Sequence, residues 1–259
     1  MSAITSASVP GARSSIAVIT VCRNALHELQ MTVASVREQV WPALFHVVVD
    51  GGSTDGTPEW LLAHENDFSF ALSEPDSGIY DAMNKAIARC PPVDWMIFLN
   101  AGDRFIDSSV LMRLSPLLTT PSDFIFGDVA IRSGMRQAVV KVRPQARLEM
   151  PGCHQSTLVR ASVMRELLFD TSYRVGGDFE FFLRATTPHR RVAFHDGVIA
   201  EVAPEGFSAA NEDVLRRDYA RAIGQHRGRG NALAWSLRRR SVRAVRYVLA
   251  RLRFGEIAR

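Results

Sequence analysis

The sequence has no uninterrupted apolar run close to the roughly 20 residues that a membrane-spanning helix needs. Its first fifteen residues are small and polar, and they lack the apolar core of a secretory signal. Only three cysteines are present, Cys22, Cys90 and Cys153, without a CxxC pair or a histidine-rich segment. We therefore expect reduced structural thiols in a cytoplasmic protein, with peripheral contact at the inner face of the membrane left open.

The sequence also lacks the glycine-rich Gly-Lys-Ser/Thr loop of P-loop nucleotide-binding proteins. It has no internal repeats and no low-complexity segments, and its 47% hydrophobic and 22% charged residues are typical of a globular chain. A length of 259 residues is near the upper limit for one domain. We expect one sizeable core.

Positive charge is concentrated at the C-terminal end of the sequence. Residues 227–259 hold ten arginines and one acid, Glu256, whereas the chain as a whole carries +4, so the first 226 residues carry −5. Apolar and aromatic residues recur with a helical rhythm over 232–254, which predicts a basic amphipathic helix in contact with an anionic membrane. The alternative is a helix that packs on the protein body with its arginines in solvent. Nucleic acid is a poor partner for so acidic a body.

Apolar runs rich in β-branched residues alternate with amphipathic stretches. The predicted strands are 16–21, 46–50, 68–73, 95–99, 124–131, 137–143 and 191–202. The predicted helices are 26–39, 58–64, 79–89, 108–118, 162–168 and 178–186. This alternation predicts an α/β fold with a mostly parallel central sheet flanked by helices.

Acidic residues follow three of the predicted strands: Asp50, Asp76 and Asp103. Ligands of open α/β sheets bind beyond the carboxyl ends of the strands, so the sequence predicts a site there. Asp50 is followed by glycines that allow a tight turn past a ligand. The alternative for Asp50 is a turn acid that caps the next helix, a role that Asp55 fits better.

Five segments occur in the order seen in family 2 glycosyltransferases. They are Ile-Thr-Val-Cys-Arg-Asn at 19–24, Val-Asp-Gly-Gly-Ser-Thr-Asp-Gly-Thr at 49–57, Asp-Ser-Gly-Ile-Tyr-Asp-Ala-Met-Asn-Lys at 76–85, Phe-Leu-Asn-Ala-Gly-Asp at 98–103 and Gly-Gly-Asp-Phe-Glu-Phe-Phe-Leu-Arg at 176–184. Over roughly residues 14–210, the sequence resembles the short bacterial members that build exopolysaccharides, lipid-linked glycans and glycolipids.

The resemblance implies a GT-A fold and a metal-dependent, inverting transfer of a hexosyl or deoxyhexosyl group. The donor would be a nucleotide-diphosphate sugar, and the acceptor a hydroxyl of a glycan or a lipid-linked glycan in cell-surface polysaccharide or glycolipid synthesis. It also implies a flexible N-terminus (1–14), a GT-A domain (15–226) whose nucleotide-binding half ends near 103, and a basic amphipathic C-terminal segment (227–259).

The resemblance implies donor-binding roles for residues of the first four segments. These are Thr20, Cys22, Arg23, Asn24, Asp50, Gly51, Asp76, Asp81, Asn84, Lys85, Ala101 and Gly102. Asp76 and Asp81 can accept from sugar hydroxyls, while Asn84 and Lys85 can donate to oxygens. The alternative for Asp81 and Lys85, four residues apart, is an ordinary ion pair on a helix surface.

The metal motif departs from the family pattern. Members usually have Asp-x-Asp-Asp where this sequence has Asn100-Ala101-Gly102-Asp103. Asp103 is then the expected principal ligand to Mg²⁺ or Mn²⁺, since such an ion completes its shell with diphosphate oxygens and water. His195 is a candidate second ligand. Its alternative role is packing or hydrogen bonding near a strand end.

The late acidic motif supplies the expected catalytic base, Asp178, which would take the proton of the acceptor hydroxyl. The alternative for Asp178 is a helix N-cap. His154 and Gln155 resemble a His-Gln pair that borders the acceptor pocket in these transferases, although a lone histidine is often structural. Glu180 is assigned to the same pocket.

Two other functions remain open. A nucleotidyltransferase shares a related sheet and metal use, but it would ordinarily need a glycine-rich phosphate loop that residues 20–24 lack. A membrane-surface scaffold that has kept the fold and lost the reaction is the non-catalytic alternative, because the metal motif is reduced.

Overall fold

The computed structural model describes residues 14–133, 136–142, 152–203 and 210–237. Its elements in chain order are β1 (Ile16–Cys22), α1 (Leu26–Arg37), β2 (Leu44–Asp50), α2 (Thr57–Ala63), β3 (Phe70–Ser73), α3 (Ile79–Arg89), β4 (Trp95–Phe98), β5 (Arg104–Phe105), α4 (Val110–Leu118), β6 (Phe124–Ser133), β7 (Arg136–Val140), β8 (Thr157–Arg160), α5 (Ala161–Leu167), α6 (Gly177–Ala185), β9 (Val192–Val202) and α7 (Glu212–Arg227). A final helix, α8, is described over 229–237.

The amino-terminal half is a parallel α/β unit. Its strands lie in the order β3–β2–β1–β4, and each neighbouring pair is parallel. Every residue of β1 is buried, because β1 is central and is covered by helices on both faces. This is why its sequence is a continuous apolar run and not an alternating one.

The second half of the sheet is mixed. β8 is antiparallel to β4 and to β6, while β9 is parallel to β6 and pairs with β5 in the antiparallel sense. The mostly parallel prediction therefore describes the first half best. The reversal at β8 brings the turn that precedes it, His154–Ser156, to the same edge as the carboxyl end of β4.

The sequence did not predict β5, β8 and α7. β5 and β8 are two and four residues long, too short to show a period of two. Among the described residues of α7, only Ala222 and Ile223 are buried, so its apolar stripe is narrow.

The core lies in two main layers, one on each face of the sheet. One layer is rich in phenylalanine, with Phe124, Phe126 and Phe182 in mutual contact. The other joins Trp95 of β4 to Leu111 of α4. The sheet is thereby held rigid beneath its carboxyl edge.

The C-terminal helices pack on the domain as far as they are described. Trp235 of α8 is 8% exposed, and its ring lies 6.0 Å from that of Tyr219 in α7. The start of the predicted basic segment thus follows the packed alternative, whereas residues 238–254 of the predicted membrane contact lie outside the described residues. No helix within the described ranges is long and apolar enough to cross a membrane.

Candidate active site

The carboxyl ends of β2, β1 and β4 meet at one edge of the sheet. Asp50, the last residue of β2, is paired with Cys22, the last residue of β1. Beyond the end of β4, the amide of Ala101 donates to the carbonyl of Val21 in β1. The Asn100–Asp103 turn and Asp50 therefore lie two strands apart, about 10 Å, along this edge.

The turn after β4 is built to hold the Asp103 carboxylate. The backbone amide of Asn100 donates to Asp103 Oδ2 at 3.1 Å. Gly102 has φ +97°, a conformation that favours glycine, and its amide donates to Thr32 Oγ1 at 3.0 Å. The Thr32 hydroxyl in turn donates to the carbonyl of Asp103 at 2.8 Å, which locks the turn onto α1.

His154 joins this turn to Asp178. Its Nδ1 lies 2.8 Å from Asp178 Oδ2, and its Nε2 lies 3.2 Å from the side-chain nitrogen of Asn100. Because the Asn100 amide nitrogen can only donate, this orientation places the proton of the neutral imidazole on Nδ1, directed at Asp178, and Nε2 accepts. Asn100, His154 and Asp178 form one continuous hydrogen-bonded chain.

The charges in this network depend on one another. Burial raises the pKa of Asp103 to about 6, against the opposing effects of the His154 charge and a hydrogen bond from Gln155. Burial alone would lower the pKa of His154, but the hydrogen bond and charge of Asp178, with the charge of Asp103, outweigh it and raise this pKa. A buried carboxylate with a raised pKa is a place where added positive charge is favoured.

Asp178 lies in the first turn of α6. The helix begins at Gly177, so Asp178 is not its N-cap. Its Oδ1 accepts from the Phe179 amide at 2.7 Å. A Cβ at Gly177 would lie 2.7 Å from the ring of Tyr80, so the glycine lets α6 approach α3 closely.

Asp50 does not present its carboxylate to the edge of the sheet. It is 0% exposed, and its oxygens accept from the Ser53 amide at 2.9 Å, from the Ser53 hydroxyl and from Ser73 Oγ at 2.7 Å. Thr20 is also fully buried, with its hydroxyl 2.9 Å from His46 Nε2. Both side chains are engaged by neighbouring residues, and their contact with the donor stays a prediction. The N-cap of α2 is Gly56, and Asp55 before it accepts from the amide of Thr57, the first residue of the helix, at 3.2 Å.

The open part of the predicted donor region is formed by Arg23, Gly51 and Asp76. A Cβ at Gly51 would lie 2.1 Å from Asp76 Oδ2 and 3.5 Å from Cδ of Arg23, so both side chains cover this glycine. Arg23 is exposed and Asp76 half-buried. Next to them, Cys22 is buried, whereas Asn24 is exposed and its Oδ1 accepts from the Thr54 amide at 2.8 Å.

Three predicted donor residues of α3 have partners within the protein. The side chain of Asn84 donates to the carbonyl of Phe169 at 2.8 Å and accepts from its amide at 2.9 Å. Lys85 lies 3.0 Å from Glu74 and 3.4 Å from Asp81, so the ion-pair alternative is present. Both ends of the Asn84 amide bind backbone, and its contact with the donor stays a prediction.

Glu180 and His195 interact with groups other than Asp103 and Asp178. Glu180 is 3% exposed and is bound by Arg184 at 2.9 Å and by His226 at 2.8 Å, at the side of a separate cleft of 450 Å³. The charged groups that act on His195 are Arg113, Asp128 and Asp196, and burial lowers its pKa. Neither the pocket role of Glu180 nor the ligand role of His195 is supported by this arrangement.

Comparison with known sequences decides the family. A model described as glycosyl transferase family 2 matches residues 17–179, which is more than half of the chain. The chain belongs to glycosyltransferase family 2. The predicted family and the predicted enzyme class, a glycosyltransferase, are confirmed.

Relatives of this family 2 glycosyltransferase occur in mycobacteria. An uncharacterised glycosyltransferase of Mycobacterium tuberculosis is 32% identical over 182 residues, covering 66% of this chain and 68% of the relative. A PGL/p-HBAD biosynthesis glycosyltransferase of Mycobacterium bovis is 32% identical over 149 residues, 53% of this chain and 56% of the relative.

Solved structures resemble this glycosyltransferase in fold. S. aureus TarS in complex with UDP-GlcNAc has a TM-score of 0.66 at 16% identity, covering 82% of this chain and 67% of that one. The mannosyltransferase PcManGT from Pyrobaculum calidifontis, in complex with GDP-Man and Mn²⁺, has a TM-score of 0.62 at 18% identity, covering 83% and 65%. The predicted GT-A fold is confirmed.

Two contributors to the site of this glycosyltransferase were not assigned from its sequence. Asn100 carries the amide that holds His154, and Tyr80 donates its hydroxyl to the carbonyl of Val175, close to Asp178. The signal that could have identified Asn100 was its position in the metal motif, at the point where this sequence differs from the family pattern. For Tyr80 no local signal existed, because its partner lies 95 residues away.

Proposed function

We propose that this family 2 glycosyltransferase moves a sugar from a nucleotide-diphosphate donor to a hydroxyl of a glycan or lipid-linked acceptor, with inversion at the anomeric carbon. The observation that carries the proposal is the chain Asn100–His154–Asp178, which joins the turn after β4 to the acid of α6. It provides a place for the leaving diphosphate and a base for the attacking hydroxyl within one network.

Asp178 is proposed as the base. Its Oδ1 and Oδ2 each accept one hydrogen bond, and a carboxylate oxygen has two lone pairs, so each oxygen can still accept from a hydroxyl. The hydrogen bond from His154 Nδ1 to Oδ2 holds the carboxylate in its orientation. Attack by the deprotonating hydroxyl on the face opposite the diphosphate inverts the configuration.

A divalent cation, Mg²⁺ or Mn²⁺, fits the turn after β4. Within the described ranges, no three His, Cys, Asp or Glu side chains form a metal-binding group. Two oxygen donors are nevertheless adjacent: the buried Asp103 carboxylate and Asn100 Oδ1, which accepts no hydrogen bond. Asp103 and Asn100 would hold the ion. Oxygens of the diphosphate and water would complete its coordination shell. Such an ion offsets the charge on the departing diphosphate.

The donor's nucleoside is proposed to contact Arg23 and Asp76 above Gly51, with backbone groups of Ala101 and Gly102 nearer the diphosphate. Asp76 accepts from hydroxyl or amide hydrogens, and Arg23 donates. The solved relatives support a nucleotide-sugar donor, since TarS binds UDP-GlcNAc and PcManGT binds GDP-Man. Gln155, next to His154, is proposed to border the acceptor.

The setting that fits this chemistry is the cytoplasmic face of the cell membrane. The mycobacterial relative named for PGL/p-HBAD biosynthesis supports a glycolipid or a related glycan as acceptor. The ten arginines of residues 227–259 support contact with anionic lipid.

The test is a thermal-shift titration of UDP, GDP and dTDP and their sugars, with and without Mn²⁺. A ligand that binds the folded state raises its Tm by mass action. We expect one nucleotide to raise Tm, and Mn²⁺ to increase that shift in the native protein but not in Asp103→Asn. A scaffold without the reaction would show no metal-dependent shift and would release no nucleoside diphosphate from any donor.

A further inference from the structure

One carboxylate outside the family-matched residues holds the loop that leads to Asp178. Asp218, in α7, accepts with Oδ2 from three consecutive backbone amides: Arg174 at 3.2 Å, Val175 at 2.9 Å and Gly176 at 3.0 Å. The family model ends at residue 179, so nothing in the family match assigns this residue. Three converging amides form a concave anion site, and here a side chain of the protein fills it.

The opposite side of the same loop is held by α3. The hydroxyl of Tyr80 donates to the carbonyl of Val175, whose amide is the one bound by Asp218. Gly176 makes close approach possible, since a Cβ there would lie 2.8 Å from Cβ of Asp218. The backbone of Val175, two residues before the start of α6, is thus held by Asp218 at its amide and by Tyr80 at its carbonyl.

The loop would otherwise be poorly determined. Gly176 and Gly177 stand directly before Asp178, and glycines have more backbone freedom in the unfolded chain than other residues. Small changes of φ and ψ at these glycines would rotate the start of α6 and move the Asp178 carboxylate away from His154. External contacts are therefore needed to fix its direction.

Aromatic packing reinforces the contact between α7 and α6. The ring of Tyr219, next to Asp218, stacks on Phe179, next to Asp178, at 4.0 Å and 18° between planes. Trp235 of α8 packs behind Tyr219. α7 therefore packs directly against α6 next to the proposed base, Asp178.

We infer that Asp218 is a positioning residue for the reaction, acting through the Arg174–Gly176 amides to fix the Asp178 carboxylate against His154. This inference rests on the proposed function for its importance in turnover. The effect of Asp218 on the position of Asp178 can be measured without a known donor or acceptor. The inference and the proposed function can therefore fail separately.

The experiment observes the His154–Asp178 hydrogen bond directly in the full chain. An Nδ1 proton bound to a carboxylate gives a deshielded, slowly exchanging signal in proton NMR of the imidazoles. The signal of His154 is assigned by its loss in His154→Gln and in Asp178→Asn. We expect Asp218→Asn to shift or abolish it, while Asp213→Asn, at a largely exposed acid of the same helix, leaves it unchanged.

The kinetic readout uses release of UDP from UDP-GlcNAc and of GDP from GDP-mannose. For whichever donor is turned over, Asp218→Asn should lower kcat about 100-fold, the scale expected for a misplacement near 1 Å, with donor KM changed little. Asp218→Glu, which keeps the charge and lengthens the side chain, should give the same direction of change and serves if the Asn variant does not fold.

A lowered Tm together with an unchanged His154 signal would overturn the inference, because Asp218 would then stabilise the fold without positioning Asp178. If the signal is lost in Asp218→Asn while no donor is turned over by the native protein, the positioning role stands and the proposed function fails. Loss of the signal in Asp213→Asn as well would show a general effect of α7 and would also contradict the inference.

Discussion

Asp50 and Asp178 are both acids of the family motifs, yet their surroundings in the protein differ. Asp50 is satisfied by Ser53 of its own loop and Ser73 of the neighbouring strand end, and it is 0% exposed. Asp178 is bound by His154 from another part of the chain, and 14% of its side chain is exposed. A carboxylate enclosed by its own loop supports the fold, whereas one held from a distance and left partly open can act on a substrate.

The most severe test of this contrast is Asp178→Asn. Loss of a base should lower turnover by about 10²–10⁴-fold, with donor affinity nearly unchanged, because the amide cannot take a proton. Turnover and the donor Kd are measured with the donor that the thermal screen selects. His154→Gln is the matched control and should be less damaging, since it leaves the base in place. Native-like turnover in Asp178→Asn would remove Asp178 from the role.

Asp50→Asn should show the opposite profile. Its buried carboxylate accepts several hydrogen bonds, and an amide there would turn a donor toward groups that already donate, so we expect a loss of about 2–3 kcal/mol in unfolding free energy. Urea denaturation measures this loss. Donor affinity of the folded fraction should stay near the native value. A large loss of donor affinity with unchanged stability would return Asp50 to the donor site.

Asn84→Ala separates the same two roles on α3. The amide of Asn84 makes two hydrogen bonds to the backbone of Phe169, so its removal should cost about 1–3 kcal/mol of stability. The matched control is Lys85→Met on the same helix, whose partly exposed ion pairs should be worth at most about 1 kcal/mol. A greater effect of Lys85 than of Asn84 on stability would reverse this ranking.

A smaller effect is expected from pH in the amino-terminal half. Burial, with the charge of Arg37, lowers the pKa of His46 from 6.5 to about 3. Below pH 6.5 the unfolded chain takes up a proton that the folded protein refuses, so stability falls as the pH falls toward 3, by at most about 1.4 kcal/mol per pH unit. The free energy of unfolding is measured by urea denaturation between pH 7 and 5 for the native protein and for His46→Gln. We expect this free energy to depend less on pH in the variant. Parallel curves would contradict the buried neutral state.

The fold could be predicted from the sequence wherever a local pattern is long enough. Helix α3 was predicted with the bounds that the structure has, and β1, β2 and β4 were predicted within two residues. β5 and β8 were not, because they exist only through pairing with distant strands.

The site was predicted less completely. The motifs predicted a metal role for Asp103, a base role for Asp178 and a pocket role for His154. In the structure His154 joins Asp178 to Asn100 of the turn that carries Asp103, although these residues are far apart in sequence. Thr20, Asp50 and Asn84 carry the same motif signal, yet their side chains are committed to internal partners. Membership of a motif therefore does not distinguish side chains that are open to a ligand from side chains that are bound within the protein.

The central claim is that diphosphate, metal and acceptor meet between Asp103 and Asp178, with His154 linking Asp178 to Asn100 of the turn that carries Asp103. Anomalous diffraction from a crystal containing Mn²⁺ and the nucleoside diphosphate selected by the thermal screen tests it most directly. The account predicts a manganese peak in contact with Asp103, with the terminal phosphate on the side that faces His154 and Asp178. Manganese and diphosphate bound together elsewhere, for example in the cleft beside Glu180 and His226, would contradict it.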